Sequence, residues 1–156
     1  MSTRATVAEH RYAILLQLLR TSEAIWNASR LFFAQWGISP SQFNVLNVLD
    51  SRSDGLLQIE LSRELITHRS NVTGLVDRLE RRGLVTRMAV PNDRRAYQIR
   101  ITRAGTKLLR QILPEYHSKA NAALRSMSRG QLNQFSHHLT AIDNAANRIA
   151  IQLNES

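Results

Sequence analysis

The residues of this chain that are best suited to chemistry are basic, and they are concentrated in one stretch. Eleven of the 21 Lys and Arg residues lie between positions 69 and 110, against three of the 12 acidic residues. The rest of the chain is almost neutral, with ten basic and nine acidic residues. Such a field suits a polyanion, because each cation set against a phosphate releases condensed counterions. The clustering therefore favours nucleic acid as a partner over a merely solvated basic face, whose charges would be scattered.

Small polar and cationic residues within this stretch have the chemistry of a base-reading cluster. Arg69 can form a forked pair with guanine O6 and N7, and Asn71 can pair with adenine N6 and N7. Ser70 and Thr73 can bond either a base edge or a phosphate, while Gly74 allows close approach to the groove. Three further arginines on this face either contact phosphates or form a solvated face, and these are Arg78, Arg81 and Arg82.

A second constellation, Asp93, Arg94 and Arg95, lies in a segment with turn-forming residues. Asp93 and Arg95 can form a local ion pair that orients one arginine while its neighbour Arg94 projects. An arginine held at the tip of a narrow ribbon fits the minor groove, whose negative potential deepens when the groove is narrow. Because an exposed ion pair contributes little to stability, the value of this one would be orientation.

The elements that must position these residues are mainly helical. Apolar and small residues at steps of three and four predict a long first helix that stops at Gly37. This stripe comprises Leu15, Leu18, Leu19, Ser22, Ile25, Trp26, Ser29, Phe32, Phe33 and Trp36. Ser39, Pro40 and Gln42 then supply an N-cap, a first-turn proline and a capping box for a second helix that runs to about Ser51.

A short strand at residues 56–57 and a short helix precede the helix that carries the base-reading cluster. Thr67 is the predicted N-cap of that helix and Gly83 is its predicted end. Its predicted buried face comprises Val72, Leu75, Val76 and Leu79. Two extended runs follow at 84–90 and 97–101, and the alternation of the second predicts a half-buried strand.

Two further helices complete the chain. Thr102 is the predicted N-cap of a helix to about Met127, and Pro114 predicts a bend or a break within it, because a mid-helix proline costs roughly 3 kcal/mol. Ser128 and Gln131 form a capping box for the last helix. Its apolar seam follows a heptad pattern and comprises Leu132, Phe135, Leu139, Ile142, Ala146, Ile149 and Leu153. Either this seam packs against the first helix of the same chain or it forms a dimer arm. Two long apolar helices are hard to bury in one small domain, which favours the dimer.

Helix, turn, helix and two-stranded hairpin follow one another in the order of a winged helix-turn-helix domain. In addition, four runs resemble the MarR family of bacterial winged-helix regulators. They are LSREL at 61–65, VTGLVDRLERRGLVTR at 72–87, NDRR at 92–95 and ITRAG at 101–105. The family's Asp-x-Arg motif falls on Asp93 and Arg95, and Ala96 departs from the Ser or Gly that often follows it.

The resemblance implies a mainly α fold, a winged helix-turn-helix with a two-stranded wing plus long N- and C-terminal dimerisation helices. Residues 1–156 would form a single domain, with the winged core at about 39–105 and the dimerisation helices at about 8–36 and 103–154. Such homodimers bind palindromic double-stranded operators in consecutive major grooves, about one helical turn (~10 bp) apart. Many are released by small, often phenolic anions, so we expect a repressor with an aromatic or phenolic ligand. An architectural DNA binder without ligand sensing is the alternative.

The residues expected to hold such a ligand are aromatic and cationic ones on the first two helices. The tentative pocket comprises His10, Arg11, Trp26, Arg30, Phe33 and Phe43, with Tyr12 as a further candidate. Aromatic walls and cationic anchors suit an aryl carboxylate. The alternative is that the aromatic members are ordinary core residues.

The sequence lacks the residues that several classes of function require. The chain has no cysteine, which excludes disulfides, thiol nucleophiles and thiol-based sensing. The five histidines, at 10, 68, 117, 137 and 138, do not have metal-ligand spacing, so we expect no metal or other cofactor. No nucleophile elbow, HExxH motif or phosphate-cradling glycine loop is present, so we expect no enzyme. Without a signal-peptide core or an apolar run of spanning length, we expect a cytoplasmic protein with no membrane contact.

Overall fold

The computed structural model describes residues 6–65, 72–90 and 93–155, with the backbone alone for 93–96. The described residues form α1 (Val7–Ala34), α2 (Pro40–Asp50), β1 (Leu56–Leu57), α3 (Gln58–Glu64), α4 (Val72–Arg81), β2 (Val85–Val90), β3 (Asp93–Ile101), α5 (Arg103–Leu124) and α6 (Arg129–Asn154). The chain divides into two compact units, Met1–Ile112 and Leu113–Ser156. A mainly helical chain with a small antiparallel sheet confirms the predicted fold class.

The junction between α1 and α2 follows the predicted local signals. Gly37 has a φ of +65°, and the Ile38 amide donates to the Phe33 carbonyl oxygen over 3.3 Å, which closes α1 as a left-handed glycine commonly does. The Ser39 hydroxyl accepts from the Gln42 amide at 3.2 Å, and Gln42 Oε1 accepts from the Ser39 amide at 2.8 Å. The predicted capping box is therefore confirmed, and it sets the start of α2.

The core of the first unit lies between α2, α3, α4, the sheet and the start of α5. Its fully buried side chains include Leu46, Leu49, Leu61, Leu75, Leu79, Ile99 and Leu109. The face of α4 predicted to be buried is confirmed, because none of its four members is more than 2% exposed. Burying one such side chain contributes about 1.5–3 kcal/mol, so this face holds α4 against α2 and α3. Thr67, the predicted N-cap, lies outside the described residues.

The three strands form an antiparallel sheet in the order β1–β3–β2. The predicted short strand β1 pairs with the hairpin, and Leu56 lies opposite Ile99. Strand β2 pairs with β3 from Val85 opposite Ile101, at the base of the wing, to Val90 opposite Asp93, at its tip. Three strands with a buried face are more stable than an isolated hairpin, so β1 gives the wing a firm base.

Strand β3 begins earlier than the sequence pattern predicts. The expected turn at 91–95 is wrong for residues 93–95, which lie in β3. The pairing register shifts between Ala89 and Val90, whose partners on β3 are four positions apart. Because this irregular pairing interrupts the period of two, alternation reveals only the second half of the strand, at 97–101.

Helix α5 passes through Pro114 without a break. It is continuous from Arg103 to Leu124, so a break, one of the two expected outcomes, does not occur. A proline removes one N–H donor but leaves the hydrogen bonds of the flanking turns in place, and about ten residues of helix on each side continue the structure. The boundary between the two compact units lies beside the proline, after Ile112.

The start of α5 is tied to the base of the wing. The Thr102 amide donates to the Leu84 carbonyl at 3.1 Å, and the Thr102 hydroxyl donates to the Gly83 carbonyl at 2.6 Å. The same hydroxyl accepts from the Gly105 amide at 3.1 Å, which confirms the predicted N-cap. A Cβ on Gly105 would lie 2.2 Å from the Leu84 carbonyl oxygen. Only glycine allows this approach, so the first turn of α5 is held closely against the wing base.

The apolar stripes of α1 and α6 are largely exposed within the chain. The predicted capping box at the start of α6 is confirmed, but no residue of that helix is buried. The exposed large side chains of its seam range from 37% exposure at Leu139 to 73% at Leu153. In α1 only Ser29 and Phe33 are buried. These stripes are not membrane spans, because no described helix is long and apolar enough to cross a bilayer.

Candidate nucleic-acid interface

The polar face of α4 carries the described part of the predicted base-reading cluster. Thr73 and Arg78 are exposed and Gly74 is half-buried. Gly74 and Arg78 are four residues apart and therefore lie on one face of the helix. Among the described residues Arg78 has no ion-pair partner, which leaves its guanidinium available to a phosphate. Three further predicted members, Arg69, Ser70 and Asn71, lie outside the described residues.

Thr73 is held by a residue that sequence reasoning missed. The side-chain amide of Gln58, at the first position of α3, donates to the Thr73 hydroxyl over 2.8 Å. The two helices of the helix-turn-helix are thus joined at their described N-terminal ends. No local sequence pattern marks a hydrogen bond between residues 15 positions apart, so only the folded chain reveals it.

A half-buried arginine joins α4 to the wing. Arg87 of β2 binds the carboxylates of both Asp77 and Glu80, and its Nη1 lies 2.5 Å from Glu80 Oε2. The Arg87 amide also donates to Glu80 Oε1 at 2.9 Å. Burial alone would lower the pKa of Arg87, but the hydrogen bonds to the two carboxylates and their negative charges raise it above its usual value. Arg87 therefore stays charged and clamps the helix to the strand.

The Arg87 clamp also changes the charge of the interface. Asp77 and Glu80 are two of the three acidic residues in the basic stretch, and both pair with the same guanidinium, whose single positive charge offsets one of their two negative charges. Their repulsion of DNA phosphates is therefore reduced. Sequence reasoning gave Arg87 no role, because its contacts connect a strand with a helix.

Arg82 does not belong to the predicted phosphate-contacting face. Its Nη1 donates to the Gly37 carbonyl at 2.5 Å and its Nη2 to the Trp36 carbonyl at 3.4 Å. Carbonyl groups just after a helix lack intrahelical partners, and this arginine satisfies two of them. Arg81, by contrast, is exposed and makes a long bond from Nε to the Asp77 carbonyl, at 3.4 Å.

Arg100 is likewise bound inside the fold. Its Nε donates to the Asp54 carbonyl at 2.8 Å, and its Nη2 donates to Gln98 Oε1 at 3.1 Å. Three basic residues of the stretch therefore serve the fold: Arg82, Arg87 and Arg100. The basic residues of the stretch that make neither an ion pair nor a side-chain hydrogen bond in the described part of the chain are Arg78, Arg103, Lys107 and Arg110. The sequence charge thus overstates the number of cations that are free to bind a polyanion.

The predicted minor-groove residues lie at the tip of the wing. Asp93, Arg94 and Arg95 occupy the first three positions of β3, next to the register shift in its pairing with β2. Irregular pairing of this kind re-aims side chains at the end of a ribbon. The ion pair between Asp93 and Arg95 stays a prediction, because the structure describes only the backbone here.

The tentative ligand residues are spread along α1. His10, Arg11, Trp26 and Arg30 are exposed, while Phe33 and Phe43 are buried. Phe33 and Phe43 stack with ring centroids 4.4 Å apart, consistent with the alternative that they are core residues. With a rise of about 1.5 Å per residue, His10 lies about 35 Å from Phe33 along the helix. Within one chain the two phenylalanines are in contact, and Trp26 and Arg30 lie on one face of α1 four residues apart.

The described residues hold no group of three or more His, Asp or Glu side chains that could bind a metal ion. The functional surface that the structure does assemble consists of α4, the wing and the contacts that join them. A known protein family matches this part of the chain.

A family model described as the MarR family matches residues 36–96, from the end of α1 to the wing. The transcriptional repressor MprA of Escherichia coli K12 is 34% identical over 122 residues, which cover 76% of this chain and 69% of MprA. The residues matched by the family model include α3, α4, β2 and the first four positions of β3.

Solved structures share the fold over most of the chain. CouR from Rhodococcus jostii RHA1, bound to p-coumaroyl-CoA, is 26% identical, with a TM-score of 0.74 over 83% of this chain and 90% of CouR. The MepR–DNA complex of S. aureus is 23% identical, with a TM-score of 0.75 over 86% of this chain and 97% of MepR. On this evidence of sequence and fold, the chain belongs to the MarR family of winged-helix transcription regulators.

Proposed function

We propose that the protein is a homodimeric repressor that binds a palindromic operator and is released from it by a small aromatic or phenolic ligand. The exposed polar face of α4 carries this proposal, since Thr73 and Arg78 are free to face DNA while Arg87 and Gln58 hold the helix in place. MprA is named a repressor, and MepR is seen in complex with DNA. Both relatives support a role on DNA.

Each predicted DNA-binding residue has a separate role in this proposal. The major groove is read by the N-terminal part of the recognition helix, and Arg78 contacts the backbone. The base-reading residues are Arg69, Ser70, Asn71 and Thr73, with Gly74 allowing close approach. Arg94 and Arg95 enter the minor groove, and Asp93 orients one of them. The wing tip and the helix thus contact adjacent grooves of one half-site.

The exposed apolar stripes of the terminal helices support dimerisation. A seam with Leu139 at 37% and Ile149 at 55% exposure is more apolar surface than a monomer ordinarily leaves in water. Covering it with a second copy gives a two-fold axis, and a two-fold dimer matches a palindrome with half-sites about one helical turn apart. The winged core at about 39–105 then lies between the dimerisation segments, 8–36 and 103–154.

Ligand release is supported by one structural relative and by exposed residues of α1. CouR is bound to p-coumaroyl-CoA, an aromatic acyl thioester. Trp26 and Arg30 are exposed on α1 and offer an aromatic wall and a cation. His10 and Arg11 lie too far along the helix to join them within one chain, so in a dimer the two ends would come from different copies. A ligand releases DNA only through its different affinities for the bound and free states.

Selection from a random-duplex pool tests the proposal, with and without aryl carboxylates such as salicylate. We expect enrichment of a palindrome that is lost when the ligand is present. Enrichment of a palindrome without a ligand effect would overturn ligand release, but it would still support sequence-specific DNA binding. If no sequence were enriched although DNA bound, the architectural alternative would replace the repressor. Salt dependence does not separate these outcomes, because both kinds of protein release counterions.

A further inference from the structure

A cleft of about 610 Å³ opens beside the first turns of α5. Cations and polar side chains dominate its lining, which includes Thr102, Arg103, Thr106, Lys107, Arg110 and Gln111. No carboxylate is among the described residues that line it. The cleft shares no residue with the base-reading cluster, the wing tip or the tentative aromatic pocket. None of these three sites therefore explains its cationic lining.

Three cations of the cleft lie on one face of α5. Arg103, Lys107 and Arg110 follow one another at steps of four and three, which spreads them over about 10 Å of the helix. All three are exposed, and none has an ion-pair partner in the part of the chain that the structure describes. Like charges at these spacings destabilise a helix. A bound anion would relieve that repulsion, and the N-terminal end of the helix adds positive partial charge.

The two threonines shape the cleft but are already engaged. The Thr102 hydroxyl donates to the Gly83 carbonyl at 2.6 Å, and the Thr106 hydroxyl donates to Asp50 Oδ1 at 3.3 Å. Neither hydroxyl hydrogen is free for a ligand. The donors that remain are the three cations and the side-chain amide of Gln111, so the cleft selects for negative charge.

The cleft lies at the end of the wing that is remote from its tip. Ile101 is opposite Val85 at the base, whereas Asp93 is opposite Val90 at the tip. Val85 and Val90 are five steps of about 3.3 Å apart along β2, so the two ends of the paired hairpin are about 17 Å apart. A duplex bound at the wing tip would not fill a cleft at the base, which favours a free molecule as the occupant.

We propose that this cleft binds a small organic anion that carries two or more phosphoryl groups. Three cations along about 10 Å match the charge of a diphosphate, and each guanidinium can fork onto two phosphoryl oxygens. A single carboxylate would leave most of that charge uncompensated. The volume is within the range of small-molecule sites and leaves room for an organic group. Thr102 and Gly105 join this turn to the wing base, so the occupant contacts the segment that supports the wing.

Calorimetric titration of the full-length protein with inorganic pyrophosphate tests the proposal, at constant ionic strength because exposed charges are screened by salt. We expect saturable binding at one site per chain. The variant R103Q/K107Q/R110Q should bind at least about tenfold more weakly, equivalent to about 1.4 kcal/mol. The matched control K119Q/R125Q/R129Q also removes two arginines and one lysine, but from exposed positions of the second unit. It should keep the affinity of the unmodified protein.

Two results would overturn the assignment. Equal weakening in both triple variants would mean that pyrophosphate responds to net charge alone. Displacement of bound pyrophosphate by a short DNA duplex would place the cleft inside the DNA interface and make the phosphates those of nucleic acid. Circular dichroism checks that each variant is folded. If the triple variant is not, Lys107→Gln alone should still weaken binding several-fold, and an unchanged affinity would contradict the proposal.

Discussion

Helices α4 and α6 both have apolar stripes at three and four spacing, but only α4 buries its stripe within the chain. Leu75 and Leu79 of α4 are at most 1% exposed, whereas Leu139 and Ile149 of α6 are 37% and 55% exposed. Helical periodicity therefore identifies a face that must be covered, and it does not say by what. In α4 the cover is the core of the same chain. In α6 we expect it to be a second copy.

Truncating the buried stripe gives the largest expected effect. Leu79→Ala removes a fully buried side chain and leaves a cavity, so the free energy of unfolding should fall by about 2–5 kcal/mol. Urea unfolding of the variant and the unmodified protein measures this loss. Ile59→Ala, at a position that is 56% exposed on α3, is the control and should change stability by no more than about 0.5 kcal/mol. Equal losses in the two variants would contradict the distinction between covered and uncovered apolar residues.

Truncating the exposed seam should act on assembly instead. Leu139→Ala is expected to weaken dimerisation by about 1–3 kcal/mol, or about tenfold to a hundredfold in the dimer dissociation constant. Sedimentation equilibrium over a wide range of protein concentration measures that constant. Asn144→Ala, off the seam on the same helix and exposed, should leave it unchanged. A protein that stays monomeric at every concentration, before any substitution, would refute the proposed cover for α6.

Among the charged residues, too, some are bound within the chain and others are left exposed. Arg87 and Arg78 both belong to the basic stretch, but Arg87 pairs with two carboxylates of α4, while Arg78 has no ion-pair partner among the described residues. Arg87→Met keeps an unbranched apolar stem and removes the charged guanidinium. Asp77 and Glu80 would then repel DNA phosphates and lose their link to the wing, so operator affinity should fall about tenfold.

Operator binding at constant salt, with the duplex enriched by selection, measures the effect of Arg87→Met. Arg52→Met is its matched control, because it removes one arginine from an exposed ion pair with Glu64 (2.9 Å), away from α4 and the wing. Exposed pairs of this kind contribute little, so affinity should change less than about twofold. Equal losses would mean that net charge explains the effect and that the clamp does not.

Much of the fold could be predicted because its signals are local. The caps at Ser39, Thr102 and Ser128 depend on bonds that span three residues, and such motifs are visible in the sequence. The buried face of α4 needs only the helical period. The early start of β3 was missed because an irregular register hides the alternation. Of the two outcomes expected at Pro114, a bend or a break, the break does not occur, because the flanking turns of α5 compensate.

The candidate site was harder to predict, because its supporting contacts are not local. Arg82 and Arg100 bind carbonyl groups 45 and 46 positions away, and nothing in the basic stretch separates them from arginines that face solvent. Composition gives the number of cations, whereas only tertiary structure assigns each one to the fold or to a ligand. The tentative pocket was affected in the same way, since residues on one helix stripe can be about 35 Å apart.

The smallest expected effect concerns the hydrogen bond between Gln58 and Thr73. The Gln58 amide donates to the Thr73 hydroxyl, which leaves the hydroxyl hydrogen free to donate to an acceptor on DNA. A hydrogen bond of this kind contributes about 0.5–1.5 kcal/mol. Gln58→Ala and Thr73→Val should therefore each weaken operator binding by about twofold to tenfold, and the double variant should be no weaker than Thr73→Val alone.

A double-mutant cycle measured on the enriched operator distinguishes positioning from independent contact. Gln58 acts through Thr73 if the two effects are strongly coupled, and it contacts DNA on its own if they add. Thr86→Val is the control partner, because it makes the same chemical change at an exposed position of β2 and should show no coupling to Gln58. If the effects of Gln58→Ala and Thr73→Val add, Gln58 contacts DNA directly and does not act by supporting the recognition helix.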